Sequence, residues 1–109
     1  MTLTHLTEEN FEKEVMNSKK MVIMDFWAEW CGPCKMMSPV FEELSKEMTD
    51  VKFGKVDTDE APHIAAQFGI QGIPTLLFVK NGKEIDRIVG FSPKPVLKSK
   101  IKAVLDGIK

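Results

Sequence analysis

The amino-acid sequence predicts an α/β protein, a mixed β-sheet with helices on both faces. Three observations carry this expectation. Met21–Trp27 (MVIMDFW) is a nearly continuous apolar run, as in a strand buried on both sides. Strand-like runs alternate with segments whose apolar residues fall at helical spacing, and that alternation requires parallel strand pairs. Asn81-Gly82 separates two further strand-like runs, the strongest short-range hairpin signal, so one strand pair is antiparallel.

Each element has a local reason. Leu3–Leu6 alternates weakly and reads as an edge strand. Thr7 can cap a helix whose first turn holds Glu8 and Glu9, where acids suit the helix dipole. Phe11 and Val15, four apart, mark its inner face. The Met21–Trp27 strand runs into a loop, Ala28–Pro33. Met37, Val40, Phe41, Leu44 and Met48 then give an amphipathic helix, with Pro39 inside it as an expected kink. Val51–Val56 is a second expected strand. Ala61–Phe68 is a short helix closed by Gly69. Thr75–Val79 and Glu84–Val89 flank the hairpin turn. Ser92 and Pro93 start a last helix with its stripe at Leu97, Ile101, Val104, Leu105 and Ile108.

The chain has 109 residues, which predicts a single domain over 1–109. Hydrophobic residues make up 43%, enough to supply a core. The formal net charge is -1 although 28% of residues are charged, so a dedicated nucleic-acid binder is not expected. The lysines at 94, 98, 100 and 102 read as the solvated face of the last helix. No apolar run approaches the ~20 residues that span a bilayer. The start, MTLTHLTEEN, has neither a basic nor an apolar stretch, so a cytoplasmic setting is expected, with no membrane partner.

The two cysteines, Cys31 and Cys34, point to chemistry. A bridge between such near neighbours removes little loop entropy from the unfolded chain, so it staples poorly. The hexapeptide Trp30-Cys31-Gly32-Pro33-Cys34-Lys35 follows a buried strand and opens a helix, where α/β sheets place their sites. Cys31 then lies at a helix N-terminus, whose free N–H groups and dipole favour a thiolate, the reactive form. Cys34, one turn on, is within reach to form a disulfide and to resolve a mixed disulfide made by Cys31. Pro33 fits the first turn and stiffens the loop. Three alternatives stand beside this. Half a zinc site would need further ligands, and His5 and His63 show no ligand spacing. The others are an inert structural disulfide and two small core cysteines.

Phe26-Trp27-Ala28-Glu29-Trp30-Cys31-Gly32-Pro33-Cys34-Lys35 resembles the signature of the thioredoxins. Gly72-Ile73-Pro74-Thr75 is similar to their cis-proline segment, and Lys80-Asn81-Gly82 to their hairpin turn. The match runs in order from about Leu6 to the end. The resemblance implies a thioredoxin fold, five strands in a mixed sheet with four flanking helices. It implies a protein-disulfide reductase with a redox-active Cys31–Cys34 disulfide, no bound cofactor and no metal. A thioredoxin reductase would regenerate the dithiol, drawing on NADPH or ferredoxin. Several disulfide-containing proteins would be its substrates, and a monomer is expected. A binding module that holds partners without turnover, and an oxidant or isomerase of the same fold, are the competing functions.

The resemblance also changes how single residues read. Asp25, inside an apolar strand, must be protonated or partnered. Read alone, it is as much a structural group as a proton-transfer group; the resemblance places it beneath Cys34 to move that thiol's proton. Lys55 alone is a surface strand residue; the resemblance pairs it with Asp25. Pro74 alone is a turn proline in the usual trans form. The resemblance makes its bond cis and lets the Ile73 backbone pair with an extended substrate. Trp30, Gly32, Pro33, Gly72, Ile73, Pro74, Gly90 and Phe91 correspond to the substrate groove. For Trp30 and Phe91 the plainer reading is packing, and Phe91 is larger than the small residue often found there. Met37 fits the inner stripe of its helix, and Met36 is expected to be exposed near the site.

Overall fold

The computed structural model describes residues 3–107. The chain forms strands β1 (Leu3–Leu6), β2 (Val22–Trp27), β3 (Lys52–Asp57), β4 (Thr75–Lys80) and β5 (Lys83–Val89). Between and after them come a π-helical segment, Glu12–Met16, and helices α1 (Gly32–Glu47), α2 (Pro62–Gln67) and α3 (Lys94–Gly107). The strands join in one sheet of order β1-β3-β2-β4-β5. β3 pairs parallel with β1 and β2, whereas β4 pairs antiparallel with β2 and β5. The sheet is therefore mixed, with β2 at its centre.

Side chains alternate across the sheet, so each strand feeds two cores. Val22, Met24 and Phe26 of β2 meet Phe11, which caps the π-helical segment, Val15 within it and Ile64 of α2. Ile23 of β2 meets Met37, Phe41 and Leu44 of α1 and Leu97 and Ile101 of α3. Both faces are thus covered by helices, because β2 is apolar on both.

The local signals play out with small differences. Thr7 Oγ1 accepts from the Asn10 N–H at 3.2 Å, and Asn10 Oδ1 accepts from the Thr7 N–H at 2.8 Å, a reciprocal cap. The helix that follows widens, because the Asn17 N–H reaches back five residues to the Glu12 carbonyl at 2.9 Å. Asn81 (φ 52°) and Gly82 (φ 77°) take the left-handed conformations that a two-residue hairpin turn requires. Pro39 lies inside α1, which continues through it to Glu47. Ile108, the last residue of the expected apolar stripe, lies outside the described residues.

The C-terminal lysines are not simply a solvated face. Lys94 and Lys98 both reach the Glu47 carboxylate of α1, and Lys100 donates to Ser92 Oγ at 3.2 Å. The hydrogen bonds from Lys94 and Lys98 hold Glu47 down at about 2. The helical spacing of the lysines was visible, but the acids opposite them come from a helix about 50 residues earlier.

Candidate active site

β2 ends in the sheet interior, and the chain turns through 28–31 into α1. The Cys31 N–H donates to the Ala28 carbonyl at 3.1 Å, closing that turn. Cys31 has extended backbone angles and is the N-cap of α1, with Pro33 in the first turn, where no N–H donor is needed. Cys31 and Cys34 form a disulfide with their Cα atoms 5.3 Å apart. The Cys34 N–H donates to Cys31 Sγ at 3.2 Å. The helix start therefore aims a backbone donor at the sulfur that would carry charge in the reduced protein. Cys31 retains 5% of its surface and Cys34 only 1%, so Cys31 is the sulfur a partner can reach. Among the described residues no group of three or more histidine, cysteine or acidic side chains could hold a metal ion.

The cis-proline segment faces this pair. The Ile73–Pro74 peptide is cis, and the Ile73 carbonyl oxygen lies 3.9 Å from Cys31 Sγ. Thr75 Oγ1 donates to the Gly72 carbonyl at 2.5 Å and steadies the bend. The Gly90 N–H donates to the Pro74 carbonyl at 2.8 Å, which brings the end of β5 alongside. Gly90 sits at φ +93°, a conformation that side chains with a Cβ rarely adopt. Phe91 follows, half-exposed. Gly32, Pro33 and Gly72 are exposed, Ile73 is half-buried and Pro74 is buried. Trp30 is 72% exposed, and its indole N–H donates to Asp59 Oδ2 at 3.1 Å. Met36, as expected, is exposed, whereas Met37 is buried.

Asp25 lies two residues beyond Ile23 on β2, on the sheet face that α1 and α3 cover. It is fully buried, and neither carboxylate oxygen has a hydrogen-bond partner among the described residues. Burial pushes its carboxyl up to about 7, against a smaller downward pull from the Lys55 ammonium. Asp25 and Lys55 are register partners on β2 and β3. They do not form the direct pair that the resemblance implies. Lys55 Nζ instead donates to Ser38 Oγ at 2.5 Å and sits 4.5 Å from the centroid of the Trp27 ring. The ammonium thus has a hydroxyl and an aromatic face to satisfy it, both on the same side of the sheet as Asp25.

A mixed five-stranded sheet, a disulfide at a helix start and a cis-proline opposite it define a thiol–disulfide oxidoreductase, whose redox pair is Cys31–Cys34. The thioredoxin family model matches residues 2–103. A thioredoxin of Pyropia yezoensis is 44% identical over 100 residues, covering 91% of this chain and 94% of that protein. Thioredoxin 1 of Synechococcus elongatus is 47% identical over 93 residues, 84% of this chain and 87% of its own. A thioredoxin of Rickettsia felis is 46% identical over 91 residues, with coverages of 83% and 87%. The chain belongs to the thioredoxin family.

Three residues around the site escaped the sequence reading. Ser38 is four positions after Cys34, the spacing that stacks side chains on one helix face, so its neighbourhood was open to inference. Trp27 reads from the sequence as a strand residue; its register partner on β3 is Asp57, and only the side-chain geometry brings its ring to the Lys55 ammonium. Asp59, the partner of Trp30, carried no local signal.

Proposed function

We propose that the chain is a general protein-disulfide reductase that cycles between dithiol and disulfide. The Cys31 thiolate attacks one sulfur of a substrate disulfide, breaking that bond and leaving a thiolate on the substrate. Cys34, losing its proton to Asp25, then attacks Cys31 Sγ. The Cys31–Cys34 disulfide re-forms and the second substrate thiol departs. Two electrons and two protons pass to the substrate, and the protein is oxidised. Lys55 tunes Asp25 through its charge. Trp30, Gly32, Pro33, Gly72, Ile73, Pro74, Gly90 and Phe91 form the groove, where the Ile73 backbone takes an extended segment of the substrate.

A thioredoxin reductase returns the dithiol state, so the protein carries electrons from that enzyme to several disulfide-containing proteins. It needs no bound cofactor and acts as a monomer in the cytoplasm, without nucleic-acid or membrane partners. The near-neutral net charge supports the part of this reading that excludes a nucleic-acid partner. None of the helices among the described residues is long and apolar enough to cross a membrane.

The observation that carries the proposal is the Cys34 N–H aimed at Cys31 Sγ, with Cys31 the more accessible sulfur. Insulin reduction by dithiothreitol, followed by turbidity, tests it. The native chain should accelerate precipitation, and Cys31→Ser should leave only the background rate. Equal rates for the two would overturn the enzymatic reading. Cys34→Ser should accumulate a mixed disulfide through Cys31, visible by mass.

A further inference from the structure

The Lys55 ammonium is held by groups other than the carboxylate beside it. Its strand position faces Asp25 across the β2–β3 register, yet its hydrogen bond goes to Ser38 Oγ at 2.5 Å. The Trp27 ring, 4.5 Å away, takes another face of the cation. Both Asp25 oxygens remain without a hydrogen-bond partner among the described residues, in a fully buried position. A neutral hydroxyl thus takes an ammonium donor that a bare carboxylate would otherwise attract strongly.

We propose that Ser38 is a positioning residue whose hydroxyl holds the Lys55 ammonium off the Asp25 carboxyl, leaving that carboxyl free to receive the Cys34 proton. The inference deepens the reductase reading above and rests on Asp25 as the proton acceptor. Ser38 lies on α1 four residues beyond Cys34, so one helix carries both the thiol and the group that sets the charge near its acceptor. A direct ion pair would favour the charged carboxylate and pull its proton affinity below the range useful near neutrality. Ser38 prevents that pair while keeping the cation close enough to be felt.

The other groups around Asp25 leave Lys55 as the charge that matters. From β4 its register partner is Leu76, and α3 contributes the apolar Leu97 and Ile101 to this face. Cys31, which caps α1, and Cys34 in its first turn do not titrate while they are joined. Removing the Ser38 hydroxyl frees one ammonium donor. The Trp27 ring keeps the cation at the sheet, and among the described residues the buried side-chain acceptors without a partner are the two Asp25 oxygens.

The test is a titration of the Asp25 carboxyl carbon by NMR in the oxidised protein, which requires no turnover. Ser38→Ala should lower the midpoint by about one pH unit, a tenfold change in proton affinity. Ser38→Thr, which keeps a hydroxyl, should stay near the native midpoint. In a Lys55→Met background the Ser38→Ala change should have no effect. An unchanged or raised midpoint in Ser38→Ala would overturn the proposal, as would the same downward shift without Lys55. Insulin reduction by the native chain is a separate readout, so the positioning role can fail while the reductase reading stands. If Ser38→Ala does not fold, Ser38→Val, which matches the shape of the threonine variant without its hydroxyl, decides the question in the same titration by the same criteria.

Discussion

The backbone N–H of Cys34 points at the sulfur of Cys31 from 3.2 Å, inside the first turn of the helix that Cys31 caps. In the reduced protein this donor and the helix dipole act on the same atom, and both favour its anion. Cys34, with 1% of its surface exposed, pays the desolvation cost of ionising, and no backbone donor among the described residues is directed at its sulfur as one is at Cys31. The two thiols should therefore differ. At pH 7, iodoacetamide should alkylate the reduced Cys31 at least about tenfold faster than Cys34. Mass mapping of the labelled peptides over a pH series measures both rates. Equal labelling would separate the helix start from the chemistry.

Asp25 should make the oxidised protein less stable as pH rises. Its folded-state value of about 7 lies above the ordinary 3.8 because burial disfavours the charge. Between those values the folded chain holds a proton that the unfolded chain has released, so stability falls across that window and levels off above it. The full difference is on the order of 4 kcal/mol. Asp25→Ala removes the ionisation and leaves a small cavity. Urea denaturation should find it more stable than the native chain by roughly 2 kcal/mol at pH 8, with the gain gone by pH 4. The same variant should reduce insulin more slowly, since Cys34 loses its proton acceptor.

How far the sequence leads differs from one part of the molecule to another. β2 and the hairpin were legible because their signals are local: an apolar run, and Asn-Gly at a two-residue turn. The disulfide was legible for the same reason, since both sulfurs and the helix start lie within one hexapeptide. The cis form of Ile73–Pro74 was not, because a turn proline is usually trans and only the resemblance to a family suggested otherwise. The Lys55–Ser38 contact, 17 residues apart, depends on the side chains of a strand and a helix meeting across a packed face. Nothing in either segment encodes that meeting. The wide turn ending at Asn17 was also hidden, for Thr7 and Asn10 cap an ordinary helix equally well.

Gly54 on β3 tests the packing of the edge strand. A Cβ there would lie 2.5 Å from Leu6 Cδ1 and 2.9 Å from Leu6 Cγ. Leu6 is fully buried in the core beside Phe11 and Val56, so it has little room to move. Gly54→Ala should cost about 1–3 kcal/mol in urea denaturation through overpacking. Combining it with Leu6→Ala should cost less than the sum of the two single changes, because the shortened side chain removes the clash. Additive costs would show that the strain lies elsewhere.

Trp30 and Asp59 connect the rim of the site to the loop after β3. Trp30 is largely exposed, so packing alone does not fix its ring, and the hydrogen bond from its indole N–H to Asp59 is what orients it. The Asp59 N–H in turn donates to Asp57 Oδ1 at 2.9 Å, which anchors that loop to the end of the strand. A large flat side chain held beside the accessible sulfur can meet a protein substrate without first losing its own freedom. Asp59→Ala should release the ring and lower kcat/KM for a protein disulfide roughly two- to tenfold, the range of one partly solvated hydrogen bond. A small aromatic disulfide that touches only the sulfurs should react at the native rate. Asp59→Asn, which keeps an acceptor oxygen, should recover most of the loss. Proton exchange at the Trp30 indole, followed by NMR, should quicken in the alanine variant and not in the asparagine one. An equal loss with both disulfides would place Asp59 in the sulfur chemistry rather than in the recognition of protein substrates.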